Sequence, residues 1–202
     1  MPAQDIAVPA RRSKITPERE REFYEAVLDL LREGGYDAVT MEGVAARTRA
    51  SRSTLYRQWQ TKPRLVAAAL RGTRQVRLAG IDTGSLAGDL LAAARAMGDC
   101  SGIDTTLQHA LGHAALNDPE LMDALREALV EPELAAVESM VRRGVERGEV
   151  DADDPALEFV AAQLFGAMRI RPILEGPYAD EEYLTRFVTA ALLPSLGLSG
   201  HP

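Results

Sequence analysis

Arg52, Ser53, Thr54, Tyr56, Arg57 and Gln58 bring two guanidiniums, three hydroxyls and an amide into one short stretch, SerArgSerThrLeuTyrArgGlnTrp. If that stretch is helical, Leu55 and Trp59 lie four residues apart and point inward, leaving the six polar side chains outside. A small, polar, basic helix on an apolar support has the chemistry to enter a DNA major groove. Arg52 can bond guanine through O6 and N7, Thr54 can meet a phosphate or a thymine methyl, and Arg57 and Gln58 face base edges or phosphates. Residues 43–80 hold nine Lys or Arg and no Asp or Glu, as a surface destined for phosphates requires.

The elements that must position these groups read as helices. Thr16-Pro17 supplies a capping hydroxyl and a proline suited to a first helical position. Phe23, Val27, Leu30 and Leu31 then fall on one face, and Gly34-Gly35 ends the helix. A second helix follows Thr40 and buries Met41, Val44 and Ala45; a third, capped by Ser51, runs to about Trp59. A fourth starts near Lys62-Pro63, carries Leu65, Val66, Ala69 and Leu70, and is expected to reach about Arg77. Gly80 to Gly84 breaks the pattern. Five more helices are expected at about 86–98, 105–116, 119–147 with a bend at Pro132, from Asp154-Pro155 to an end at Pro172 and Gly176-Pro177, and 181–193. Strand-like alternation is missing, so the fold class is all-α with about nine helices.

Charge divides the chain. The net charge is −7 overall, but residues 1–80 carry +6 and residues 81–202 carry −13. A nucleic-acid-facing segment joined to an acidic body has this asymmetry, and the acidic body would keep DNA at one end. The organisation read from this is a basic arm over 1–15, a three-helix reading unit over 16–62, a connecting helix over 63–80 and a second helical domain over 81–202. The arm's Arg11, Arg12 and Lys14 are open to two readings, a tail of chance charge or a minor-groove contact. A single cysteine, Cys100, excludes an internal disulfide framework, and no apolar run or signal-peptide core points to a membrane, so the expected location is the cytoplasm. No phosphate-cradling glycine loop, nucleophile elbow or paired-cysteine signature is present, which argues against an enzyme, and no cofactor is expected.

The stretch from Thr16 to Leu70 resembles the tetracycline-repressor (TetR) family of bacterial transcription regulators. The likeness rests on a helix ending in Gly-Gly-Tyr, then Thr40 and Val44-Ala45, then Ser51-Arg52-Ser53-Thr54-Leu55-Tyr56, Trp59 and Lys62. It implies a helix-turn-helix domain in front of a helical bundle, binding a palindromic operator as a homodimer and responding to a small molecule, most often as a repressor. It further implies that Thr40 and the start of its helix lie near a phosphate, that the Tyr56 hydroxyl meets another, and that Lys62 neutralises a third. Ser53 stands where the family often has glycine and can itself bond DNA. Arg49 stands where glycine is usual in the turn; the expectation is that the turn adjusts to spare arginine a left-handed conformation.

For the second domain, the resemblance implies pairing of the eighth and ninth helices with their twins and an inducer pocket among the fifth to eighth. The pairing candidates are Ala161, Leu164, Leu184, Phe187, Val188, Ala191 and Leu192. The pocket candidates are Leu90, Met97, Leu107, His109, Leu111, His113, Met122, Leu125, Met140, Phe165 and Met168, which also suit an ordinary core. His109 and His113 share a helix face near Cys100, but no further ligand set completes a metal site, and none is expected. A helical small-molecule-binding dimer with a vestigial reading unit is the alternative function.

Overall fold

The structure, a computed structural model, describes residues 15–73, 78–98 and 105–199, with only the backbone described at 73 and 105–110. Among the described residues every regular element is helical. The first four are α1 (Pro17–Ala38), α2 (Met41–Arg47), α3 (Arg52–Trp59) and α4 (Lys62–Thr73), followed by α5 (Leu86–Gly98) and α6 (Thr105–Asn117). Three longer helices are composite. α7 (119–146) joins Pro119–Leu125, a π-helical turn at Arg126–Val130 and Glu131–Glu146. α8 (155–175) opens on a 3-10 turn, Pro155–Phe159, and continues as Val160–Glu175. α9 (181–195) joins Glu181–Phe187, a second π turn at Val188–Leu192 and Leu193–Ser195. The basic arm, Cys100 and the expected extension of α4 to Arg77 lie outside the described residues. Among the described residues no helix is long and apolar enough to cross a membrane.

Local chemistry explains the ends. Thr16 accepts from the Arg19 N–H at 3.3 Å, with Pro17 behind it. Regular helical dihedrals in α1 stop at Gly34-Gly35, where Gly35 takes φ 71°, as the sequence suggests. Pro132 does not break α7. The π turn loosens the backbone ladder just before it, and the proline falls in the first turn of the next segment, where its missing N–H costs little. Pro172 does not end α8 either; the helix runs on to Glu175 and closes at Gly176, φ 88°, whose N–H bonds the Pro172 carbonyl at 3.1 Å.

Two cores form, and they do not follow the division expected at Gly80–Gly84. The first holds Phe23, Val27 and Leu31 of α1, Val44 of α2, Leu55 and Trp59 of α3, and Leu65 and Val66 of α4. It also takes in Leu111 and Ala115 of α6 and Leu121 of α7. The second is built from α5, the later part of α7, α8 and α9. α7 thus spans both cores, and its π turn, with no buried residue, lies between them. Each fully buried Leu or Phe here contributes about 1.5–3 kcal/mol.

The segment leading into α5 is held by charge as well as packing. Glu133, buried on α7, accepts from the Leu78 N–H at 2.9 Å. Arg143 donates to the Ile81 carbonyl at 2.7 Å and to Asp89 at 2.8 Å. Asp89 is wholly buried and also accepts from the Thr83 N–H at 2.6 Å and the Thr83 hydroxyl at 2.8 Å. Burial pushes the Asp89 carboxyl up, but the Thr83 and Arg143 bonds outweigh it and hold it below the usual carboxylate range.

The α2–α3 turn departs from the sequence expectation. It does not adjust around Arg49: that residue sits at φ 51°, in the left-handed region. The Ala50 N–H bonds the Ala45 carbonyl at 2.9 Å and the Arg49 N–H bonds the Ala46 carbonyl at 3.3 Å, a paired closure of a helix end that calls for a left-handed residue at Arg49. Arg49→Gly is therefore expected to stabilise the fold by about 1 kcal/mol, read as a higher urea midpoint at unchanged slope. A lower midpoint would show that the arginine side chain does more for the fold than its backbone costs.

Candidate nucleic-acid interface

α3 stands on its apolar side. Leu55 is fully buried and Trp59 nearly so, with the Trp59 ring edge-on to Phe23 at 5.3 Å and tilted against Tyr24 at 6.1 Å. That anchoring fixes the helix about its axis and turns Arg52, Ser53, Tyr56, Arg57 and Gln58 to solvent. Tyr56 is 47% exposed, a large ring left outside a core that had room for Trp59. Thr54 is half-buried.

The start of α3 is a knot of hydroxyls. Ser51 Oγ accepts from the Thr54 N–H at 3.2 Å and lies 2.9 Å from both Ser53 Oγ and Thr54 Oγ1. At the start of α2, exposed Thr40 accepts from the Gly43 N–H at 2.9 Å. Both helix starts therefore present capped N–H groups and hydroxyls at the surface that carries the basic side chains. Arg19 of α1 ties the turn between them by donating to the Thr48 carbonyl, while its guanidinium also pairs with Glu22.

The cations divide into engaged and free. Arg52 donates to Glu42 at 3.0 Å, Arg47 pairs with Glu33, and Arg64 donates to Gln60 at 2.6 Å. The guanidiniums of Arg49 and Arg57 have no hydrogen-bond or ion-pair partner among the described residues. Lys62 is placed differently from a free phosphate ligand. Its ammonium lies 3.8 Å from the centre of the Tyr36 ring, and burial lowers its pKa against the opposing pull of Asp37 and Asp118. The Tyr36 hydroxyl in turn donates to Asp118 at 3.0 Å, linking the end of α1 to the start of α7. Sequence reasoning missed this junction and the Glu42–Arg52 pair, since both join residues on different helices.

The second-domain candidates scatter. Leu90, Met97 and Met140 are fully buried in the second core, whereas Leu111 belongs to the first. Leu125 packs half-buried on the first core and Phe165 and Met168 on the second. Met122 and His113 are exposed, and the side chains of Leu107 and His109 lie outside the described residues. Among the described residues these side chains do not converge on one cavity. One groove runs between α5 and α9 beside Arg95, Thr185 and Arg186; another lies beside Tyr24, Arg64, Arg71 and Glu127. No cluster of His, Cys, Asp or Glu among the described residues could hold a metal ion.

The pairing candidates differ in exposure. Leu164, Leu184, Val188 and Leu192 are fully buried within the protomer, Ala161 and Phe187 are half-buried, and only Ala191 is exposed. The uncovered apolar surface is the opposite side of α8. Phe159, Ala162, Gly166, Ile170 and Ile173 recur there at spacings of three or four, flanked by Leu174. Ile173 and Leu174 are 69% and 72% exposed.

Comparison with known proteins agrees with the layout. Residues 23–69 match the family model described as bacterial regulatory proteins, tetR family, and residues 81–191 match the tetracyclin repressor-like C-terminal domain. The chain is 33% identical to the DNA-binding transcriptional repressor TetR of Mycobacteroides abscessus, over 87% of this chain and 92% of that one. It is similar to the crystal structure of the TetR family transcription regulator SCO0332, with 29% identity, a TM-score of 0.66, and 87% of this chain and 97% of that chain covered. The multidrug binding protein EbrR, solved in complex with proflavin, shares the fold at a TM-score of 0.51 and 21% identity, over 85% of this chain and 98% of its own. With a buried-and-exposed pattern on α3 suited to a major groove and both halves matched, the chain belongs to the TetR family of bacterial helix-turn-helix transcription regulators, proteins that bind DNA.

Proposed function

We propose that this protein is a homodimeric repressor that binds a palindromic operator and releases it on binding a small molecule. The observation that carries the DNA-reading part is the division of α3: Leu55 and Trp59 in the core, Arg52, Ser53, Tyr56, Arg57 and Gln58 in solvent, within a run free of acids. In this reading Arg52 and Gln58 meet base edges, and Tyr56, Arg57, Thr40 and the hydroxyls around Ser51 meet phosphates. Lys62 reaches a phosphate only by leaving the Tyr36 ring, so its contribution is smaller than that of a free cation.

The outward side of α8 supports self-association. Five large apolar side chains, Phe159, Ile170, Ile173, Leu174 and Tyr178, are at least two-fifths exposed along one region, with Gly166 giving a low point where a second helix can approach. A surface of this kind on a soluble domain calls for a partner, and a two-fold copy offers the same stripe in return. Two reading helices about one helical turn of DNA apart would then face a palindrome.

For the response, EbrR was solved holding proflavin in the same fold, and the relative from Mycobacteroides abscessus is named a repressor. An effector that favours one arrangement of α5–α8 has a direct path to the reading unit, because Leu111, Ala115 and Leu121 pack in the core of that unit. It can shift operator affinity only by its differential affinity for the two arrangements. Arg52→Ala with Tyr56→Ala is expected to abolish operator retention in a gel shift while the melting temperature and dimer mass stay unchanged. Undiminished retention by that double variant would sink the DNA-reading assignment.

A further inference from the structure

The acid-free run begins just after Glu42, and Glu42 is the only acidic residue between Asp37 and Asp82. It occupies the first turn of α2, yet its carboxylate reaches across to α3 and accepts from Arg52 Nη1 at 3.0 Å. Both side chains are more than half exposed, so the pair stands on the reading surface and is not sunk beneath it. Other acids of the region act elsewhere: Glu33 pairs with Arg47, and the charge of Asp37 acts on Lys62.

A carboxylate beside the start of α2, where a phosphate is expected, works against DNA binding in general. It is tolerated only while a donor satisfies it. The Arg52 fork has five N–H groups, and the bond to Glu42 uses one of them, leaving others for the O6 and N7 acceptors of guanine. In the major groove the matching donor for a carboxylate is the cytosine N4 amino group; guanine and thymine present acceptors there, and adenine N6 sits next to the N7 lone pair.

Resting on the DNA-reading assignment above, we infer that Glu42 is a specificity-determining residue: with Arg52 it reads a G·C step as one unit, Arg52 taking guanine and Glu42 taking a cytosine N4 of the same or the neighbouring base pair. At other steps Glu42 meets acceptors, phosphates or an adenine N6 donor whose neighbouring N7 lone pair repels it, and it disfavours the wrong sequence as well as favouring the right one. A positive surface with one acid at its reading edge gives up some affinity for arbitrary DNA and gains discrimination.

The test is selection from a pool of duplexes with a randomised core, with full-length wild type, Glu42→Gln and Glu42→Asp, alongside anisotropy titrations on one duplex of arbitrary sequence over a range of KCl. Wild type is expected to select a guanine with a cytosine at the same or the adjoining step. Glu42→Gln should keep the guanine, lose roughly tenfold or more of the cytosine preference, and bind the arbitrary duplex several-fold more tightly. Glu42→Asp, which keeps the charge but shortens the reach, should lose the cytosine preference without gaining affinity for the arbitrary duplex. Because Glu42 is exposed, all three proteins should melt together. Selection of the same sequences at the same preference by wild type and Glu42→Gln would overturn the inference while leaving the DNA-reading assignment in place. A wild type that binds no duplex at low salt would overturn both.

Discussion

Arg143→Ala is expected to lower the stability of the fold by about 3–5 kcal/mol, a large share of what a domain of this size possesses. The arginine donates to Asp89 at 2.8 Å and to the Ile81 carbonyl at 2.7 Å, and its removal leaves a wholly buried carboxylate with only the Thr83 donors. Asp89→Asn added to Arg143→Ala should recover part of the loss, because an amide still accepts from Thr83 and needs no counter-charge. The pH dependence carries a definite sign. In the wild type the folded Asp89 carboxyl lies below its unfolded value of about 3.9, so its contribution is complete above that pH and is lost as the pH falls through the lower folded value. Without Arg143 the Thr83 donors alone oppose burial, so the folded carboxyl rises above its wild-type position and acidification costs the variant less than the wild type. The gap between the two urea midpoints should therefore be widest near neutrality and narrow toward pH ~4. A constant gap across that range would show that the arginine acts through packing alone.

On the proposed pairing through α8, Ile173→Asp with Leu174→Asp is expected to weaken dimerisation by roughly a thousandfold, as loss of two central apolar contacts at about 2 kcal/mol each implies. Both side chains are about seven-tenths exposed in the protomer, so the change costs the monomer little. Across a two-fold axis each new carboxylate also meets its own copy. Sedimentation should show a folded monomer, and operator retention should fall with it, because one reading helix holds only half a palindrome. In contrast, Leu164→Asp should unfold the protomer instead of splitting the dimer, since Leu164 is fully buried in the second core. An Ile173–Leu174 variant that sediments as a dimer would assign pairing to another face.

What could be read from the chain alone followed the range of the interactions. Caps and periodicity are local, so Thr16, Thr40 and Ser51 start their helices as expected, and Leu55 and Trp59 turn inward while Arg52 and Tyr56 turn out. Periodicity says less about α8, which carries apolar residues on more than one side. Leu164 and Ala167 on one side and Ile170 and Ile173 on the other are all apolar, and packing decides which side the protomer keeps. Arg49 illustrates a different limit: the hydrogen bonds that close α2 hold the left-handed turn even with arginine in the glycine position. The Glu42–Arg52, Tyr36–Asp118 and Asp89–Arg143 pairs lie ten, eighty-two and fifty-four residues apart, and no pattern in a single sequence links them.

The sharing of one core by α1–α4, α6 and the opening of α7 has a practical corollary. The DNA-reading head is not a detachable cartridge. Cutting the chain after α4 would strip Leu111, Ala115 and Leu121 from its interior and leave Tyr36 without Asp118. A chimera that grafts this head on to a foreign sensor must therefore transplant the seam as well, or inherit a head whose interior is open to water. A substitution at Leu111, Ala115 or Leu121 therefore acts on both halves of the chain at once.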